Sequence, residues 1–185
     1  MSADGDGGAG IAARVAGRLR DVPDFPQPGI GFKDIAPLLA DPDVFGAAIS
    51  ALAEFARAAG GADLVAGIEA RGFLVAAALA RELDCGILPV RKAGKLPPPT
   101  LRRAYDLEYG QAEIEVPVNL ANGRRVYLVD DVLATGGTVR AAAELIGQAG
   151  GEVIGIGVLL ELGFLGGRAR LDGVTHGGIV ALLRT

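Results

Sequence analysis

The spacing of apolar residues changes several times along this chain, and each change marks an element. Between residues 43 and 59 the apolar positions Val44, Ala47, Ala48, Leu52, Phe55 and Ala59 fall mostly three or four apart. That is the period of a helix with one buried face, and Gly60-Gly61 ends it. Residues 63–68 then form a short, largely apolar run, the pattern of a strand buried on both sides. The same reading predicts helices over 73–83 and 138–149, and strands over 86–90, 125–129, 153–160 and 179–183. Residues 101–118 alternate in places, as at Ile114-Glu115-Val116, which predicts a hairpin. Residues 92–99 read as a basic, Pro-rich loop and residues 21–29 as a Pro-rich turn. A short helix is expected over 11–20, and the Gly-rich residues 1–10 are expected to be a disordered tail.

Nearly all-apolar strands alternating with helices imply a single α/β domain, its mostly parallel sheet covered on both faces. Such sheets bind ligands beyond the carboxyl ends of their strands. The segments 69–72, 91–96 and 130–138 all follow strands, so all three should open on one edge.

Composition narrows the function. Half of the 185 residues are hydrophobic, enough for a sizeable core. With 18 Lys and Arg against 22 Asp and Glu, the net charge is −4. That balance argues against general nucleic-acid binding, which needs a basic face, while allowing a local pocket for a small anion. Arg, Glu or Gly interrupts the longer apolar runs, so no membrane span is expected. The first residues lack the basic and apolar regions of a secretion signal, which favours a cytoplasmic setting. Cys85 and His176 are the only residues of their kinds. A disulfide within the chain and a Cys- or His-rich metal site are therefore excluded, and both residues read as structural.

Residues 126–138, VYLVDDVLATGGT, carry the chemistry. An apolar strand ends in Asp130 and Asp131, and a Thr/Gly loop leads into a helix. Unpaired N–H groups and the helix dipole favour an anion there, and glycine lets the backbone approach it closely. The loop lacks a Walker lysine and the dinucleotide glycine spacing, so it suits a monophosphate. Carboxylates repel phosphate but accept hydrogen bonds from neighbouring sugar hydroxyls. An acid pair or a Gly-Gly alone is most often a solvated strand end or a turn, but the ordered string fits a sugar phosphate better.

This string resembles the phosphoribosyl-pyrophosphate motif of type I phosphoribosyltransferases. The resemblance implies that Asp130 and Asp131 bind the ribose hydroxyls and that Ala134, Thr135, Gly136, Gly137 and Thr138 cradle the 5′-phosphate. It also implies the type I fold, with a small base-binding hood near 21–40 and a flexible catalytic loop near 97–117. Four further stretches are similar, in order and spacing, to the adenine-specific branch of that family: DFPQPGIGFKDIAPLL (24–39), GIEARGFLVAAALA (67–80), PVRKAGKLP (89–97) and YDLEYG (105–110). By that resemblance Phe32 stacks on adenine while backbone groups of Gly31 and Lys33 meet its edge. Glu69, Ala70, Arg71 and Gly72 form a pyrophosphate loop, often with a cis peptide at Glu69–Ala70, and Arg91, Lys92 and Lys95 add cations for the same group. Glu108 would serve as the acid at the base, with Tyr105 and Tyr109 shielding the site.

The expected reaction is adenine plus phosphoribosyl pyrophosphate giving AMP plus pyrophosphate in a homodimer. Mg2+ is expected to be held mainly through substrate oxygens, without a dedicated set of protein ligands. A sister enzyme for hypoxanthine, guanine or xanthine, and a non-catalytic sensor of phosphoribosyl pyrophosphate, are the competing readings. The stretches 25–33 and LEYG disfavour the first, and net charge and the lack of a spare domain the second. Beyond Gly163 the sequence suggests a short helix and a closing strand, and no chemistry.

Overall fold

The computed structural model describes residues 6–25, 27–29, 31–107 and 110–185. In chain order it contains α1 (Asp6–Ala16), β1 (Arg20–Val22), β2 (Phe32–Asp34), α2 (Ala36–Leu39), α3 (Pro42–Ala58), β3 (Leu64–Ile68), α4 (Gly72–Leu83), β4 (Gly86–Lys92), β5 (Thr100–Leu107) and β6 (Gly110–Pro117). β7 (Arg125–Leu133), α5 (Gly137–Gln148), β8 (Glu152–Glu161), two 3-10 turns (Gly163–Leu165 and Gly167–Leu171) and β9 (Ile179–Arg184) follow. Seven strands form the main sheet in the order β5-β6-β4-β3-β7-β8-β9. β4, β3, β7, β8 and β9 run parallel, and the β5–β6 hairpin closes one edge antiparallel.

Alternation along the central strands divides the core in two. Val65, Tyr127 and Val129 point to the face covered by α3 and α4. Ala66, Ile68, Val126 and Leu128 point to the face covered by α5. Each fully buried Leu, Ile or Val contributes roughly 1.5–3 kcal/mol, so both layers are strongly held. Because α4 returns the chain to β4 on one side of β3, and α5 to β8 on the other side of β7, the strand order reverses its direction of growth between β3 and β7. Open α/β sheets form a crevice at such a point.

The helix expected over 43–59 starts one residue earlier, at Pro42, behind an Asp41 N-cap whose carboxylate accepts from the amides of Asp43 and Val44 at 3.1 and 3.0 Å. Three expectations are corrected. α1 begins at Asp6, so residues 6–10 are helical and not tail; extending a helix already docked by its later turns adds one hydrogen bond per residue without a new nucleus. β4 runs on to Lys92, because β6 pairs with its end at Arg91↔Glu115 and Lys92↔Ile114. β7 continues to Leu133, four residues past its expected end, so Asp130 and Asp131 lie in a strand and not at the start of a loop. β3 last pairs with β7 at Gly67↔Val129, while β8 follows β7 as far as Leu133. The two acids therefore stand on a strand that has lost one neighbour and kept the other. β1 and β2, which the sequence did not suggest, form a two-stranded ladder, with Lys33 2.5 Å from Asp21 and Arg20 2.7 Å from Asp34.

Candidate active site

Asp131 is 5% exposed, deep in the crevice between β3 and β7. Its Oδ2 lies 2.8 Å from Nε of Arg71. The contact is an ion pair, and among the described residues Oδ2 is a buried acceptor with no hydrogen-bond donor. Such an atom is costly unless a ligand completes it. Asp130 turns its Oδ1 back to accept from the Asp131 amide at 2.9 Å. Burial drives the Asp130 carboxyl well above its usual range, and the charge of Asp131 beside it adds to the rise. Burial also raises Asp131, less so because Arg71 opposes it. Gly72, at the start of α4, makes room for this pair: a Cβ there would lie 2.8 Å from Asp130 Oδ1.

Arg71 connects the acids to the hood. Its guanidinium sits 5.1 Å from the centre of the Phe32 ring, a cation–π contact, and Phe25 meets Phe32 edge-on at a centroid distance of 5.1 Å. The Glu69–Ala70 peptide bond is cis, as the resemblance implied. Gly31 is exposed and Phe32 and Lys33 are half-buried. The Lys33 side chain is committed to Asp21, which leaves its backbone as the part able to meet a base.

After β7 the chain crosses Ala134 and Thr135 to Gly136, which caps α5 at φ +80° without any side-chain cap bond. The first N–H groups of α5, from Gly137 and Thr138 onward, have no acceptor within the helix and face the crevice end of the sheet with the positive end of its dipole. Gly136 is buried against the backbone of Gly167, so only glycine meets both its conformation and its space.

On the other side of β3, Glu69 accepts from the Lys92 amide at 3.0 Å and from Arg91 Nε at 3.2 Å. Burial pushes its carboxyl up, but these donors together hold it below its usual range. Arg91 also donates to the Lys95 carbonyl at 3.1 Å. Lys92 and Lys95 join the assembly through their amides and leave exposed side chains.

The residue organising this basic segment is Glu115, which sequence reading treated only as part of an alternating strand. It is completely buried. It accepts from the amides of Lys95 and Leu96 at 2.7 Å each, from the Thr100 hydroxyl at 3.1 Å and from Arg102 Nε at 3.1 Å. Burial opposes its ionisation, yet the amides of Leu96, Gly94 and Lys95 and the Thr100 hydroxyl take its pKa down to about 2. A folded pKa below the unfolded one contributes stability that is complete above the usual carboxylate pKa and is lost as pH falls from there towards 2. Glu115→Gln should cost roughly 1–3 kcal/mol at neutral pH, the range for hydrogen bonds to a charged group. In melting curves taken from pH 6 to pH 3 the gap between variant and parent should narrow; parallel curves would refute the assignment.

Tyr105, expected as a loop shield, lies in β5 opposite Ala112 and packs against the α5-side core. It is a strand residue held by apolar packing and not part of a loop. Glu108 and Tyr109 lie outside the described residues. Arg103 on β5 pairs with Glu144 on α5, which ties the hairpin to the helix that follows residues 134–136.

A crevice that offers an acid pair with one member buried, an arginine, a glycine-started helix and a basic flank defines a class, and the chain belongs to it: it is a member of the phosphoribosyltransferase family, whose phosphoribosyl transferase domain matches residues 38–170. The similar proteins place it further, among the adenine phosphoribosyltransferases. That of Streptomyces coelicolor is 57% identical over 95% of this chain and 97% of its own, and that of Kineococcus radiotolerans 59% identical over 87% of each. The crystal structure of the Thermoanaerobacter pseudethanolicus enzyme superposes with a TM-score of 0.87 at 45% identity, covering 94% of this chain and 99% of that one. The Saccharomyces cerevisiae enzyme, complexed with an imino-altritol bisphosphate and adenine, superposes with a TM-score of 0.86 at 36% identity, covering 95% and 99%.

Proposed function

We infer that this chain joins adenine to the phosphoribosyl group of phosphoribosyl pyrophosphate, giving AMP and pyrophosphate, as a step of purine salvage. One observation carries the reading: a buried carboxylate oxygen of Asp131 has no hydrogen-bond donor among the described residues and stands at the end of the strand that leads into an anion-favouring helix start. A ribose hydroxyl supplies the missing donor, and the 5′-phosphate attached to the same sugar reaches the amides of 134–138.

In this scheme Asp130 and Asp131 hold the ribose hydroxyls and fix the sugar, which supplies positioning. Arg71, Arg91, Lys92 and Lys95 offset the charge that grows on pyrophosphate as its bond to carbon 1 breaks and the bond from the base nitrogen forms on the opposite side. Phe32 stacks on the adenine ring, with the backbone of Gly31 and Lys33 at its edge. Glu108 handles the proton of the base, and Tyr109 helps to exclude water. Among the described residues no group of three or more Asp, Glu, His or Cys could cage a metal. The hard oxygens of the acid pair fit Mg2+ held mainly by substrate and water; when bound, it neutralises charge on the leaving group. Among those residues no helix is long and apolar enough to cross a membrane, and we place the enzyme in the cytoplasm as a homodimer that binds neither nucleic acid nor membrane.

The deciding experiment is incubation with phosphoribosyl pyrophosphate, magnesium and one base at a time, with nucleotides separated by chromatography. AMP should form from adenine, with little product from hypoxanthine, guanine or xanthine. Preferential turnover of an oxopurine, or no turnover together with retention of DNA or RNA on a filter, would overturn the reading.

A further inference from the structure

Past β8 the chain folds back onto the phosphate loop. Leu133 and Glu161 are register partners, and the Leu162 amide donates to the Leu133 carbonyl at 2.9 Å, one residue before Ala134. The two 3-10 turns follow, joined at Gly166 with φ +65°. This path presses Gly167 into the loop. A Cβ on Gly167 would overlap the Ala134 carbonyl oxygen and lie 2.9 Å from the Gly136 nitrogen, while a Cβ on Gly136 would overlap the Gly167 carbonyl. Backbone meets backbone here with no side chain between, so the contact is rigid.

Arg168 holds the turn in place. Its Nε donates to Glu161 Oε1 and Oε2 at 3.2 and 3.0 Å, its Nη2 to Oε2 at 2.5 Å, and its Nη1 to the Ile179 carbonyl at 2.7 Å. Glu161 is 1% exposed. Arg140, on α5, donates to the Arg170 carbonyl at 2.7 Å, so the helix that starts at the phosphate loop grips the far end of the same turn.

We propose that Gly167, Arg168 and Glu161 are positioning residues for the 5′-phosphate: the planar, two-pronged pair closes a turn whose apex, Gly167, sets the spacing of the Ala134–Gly136 backbone and thereby aims the loop's amides. The proposal rests on the reading that residues 134–138 hold that phosphate. A pair that merely fastened the C-terminal segment would, when weakened, lower the melting temperature and leave substrate affinities alone. Positioning makes a different demand, because amides displaced by a fraction of an ångström lose the phosphate and keep the base.

Gly167→Ala and Arg168→Lys test it, the second keeping the charge and losing the fork. Gly167→Ala should raise KM for phosphoribosyl pyrophosphate about 10-fold or more and leave KM for adenine within about twofold, the pattern of a lost contact to one substrate. Calorimetry should find ribose 5-phosphate bound more weakly by the same factor. Arg168→Lys should show the same selectivity at about threefold, and it decides the matter by the same readings if Gly167→Ala does not fold. Unchanged affinity for phosphoribosyl pyrophosphate and ribose 5-phosphate overturns the proposal, as does an equal rise in both KM values that follows a fall in melting temperature. If the parent enzyme makes AMP while the variants match it, the proposal alone falls; if the parent makes no AMP, the functional reading falls and takes the proposal with it.

Discussion

Asp131→Asn is expected to lower kcat for AMP formation roughly 10²- to 10³-fold, the scale of losing one well-placed polar group in a water-poor site. The substitution keeps the shape of the side chain. It removes the negative charge facing Arg71 and turns one of two acceptors into a donor, just where a ribose hydroxyl needs to donate. Stability should move the other way or not at all. Burial disfavours the ionised acid and outweighs the opposing charge of Arg71. A carboxyl whose folded pKa is raised costs stability once pH exceeds its unfolded value, and a neutral amide escapes that cost. Steady-state kinetics beside a melting curve separates the two effects. Wild-type turnover would remove Asp131 from the site, and a collapse in melting temperature would make it structural.

Gly136→Val is expected to be the most disruptive single change in the phosphate loop. Valine is a poor fit at φ +80°, and its Cβ would overlap the Gly167 carbonyl. The left-handed conformation costs about 1 kcal/mol and overpacking about 1–3 kcal/mol more, for a total of roughly 2–4 kcal/mol. For a chain of this length that lowers Tm by roughly 5–15 °C. Binding of ribose 5-phosphate should be lost below the new Tm as well, because the strain is relieved only by moving the amides. Gly147, near the end of the same helix, has nothing within 4 Å of where a Cβ would stand. Gly147→Ala should therefore be neutral or stabilising by up to about 1 kcal/mol. Calorimetric scans of both variants, with and without ribose 5-phosphate, check the contrast; a Gly136→Val protein that melts and binds like the parent would remove the loop's geometry from the argument.

Glu115 shows how a site residue escapes sequence reading. Flanked by Ile114 and Val116 in an alternating stretch, it reads as solvent-facing. Arg102 and Thr100 reach it across the β5–β6 hairpin, and the amides of Lys95 and Leu96 arrive only when β6 docks beside β4; together they close over the carboxylate from the side a lone strand would leave to water. Gly167 and Arg168 escape for the same reason: Gly167 touches Ala134 and Gly136, some thirty positions back in the chain, and Arg168 joins Glu161 to the carbonyl of Ile179 on a different strand. Tyr105 shows the converse, since a motif shared with a family located it without saying that its ring packs into the core.

The order of the main-sheet strands and their helices, the acid pair, the glycines that start α5 and the family were all legible from residue order, because periodicity, turn chemistry and short motifs are local properties of a chain. Where β7 ends, how deeply Asp131 is buried, which arginine faces it and what props the loop from behind were decided by the tertiary structure. Each depends on which strands become neighbours, and burial and hydrogen-bond satisfaction exist only between elements that have met.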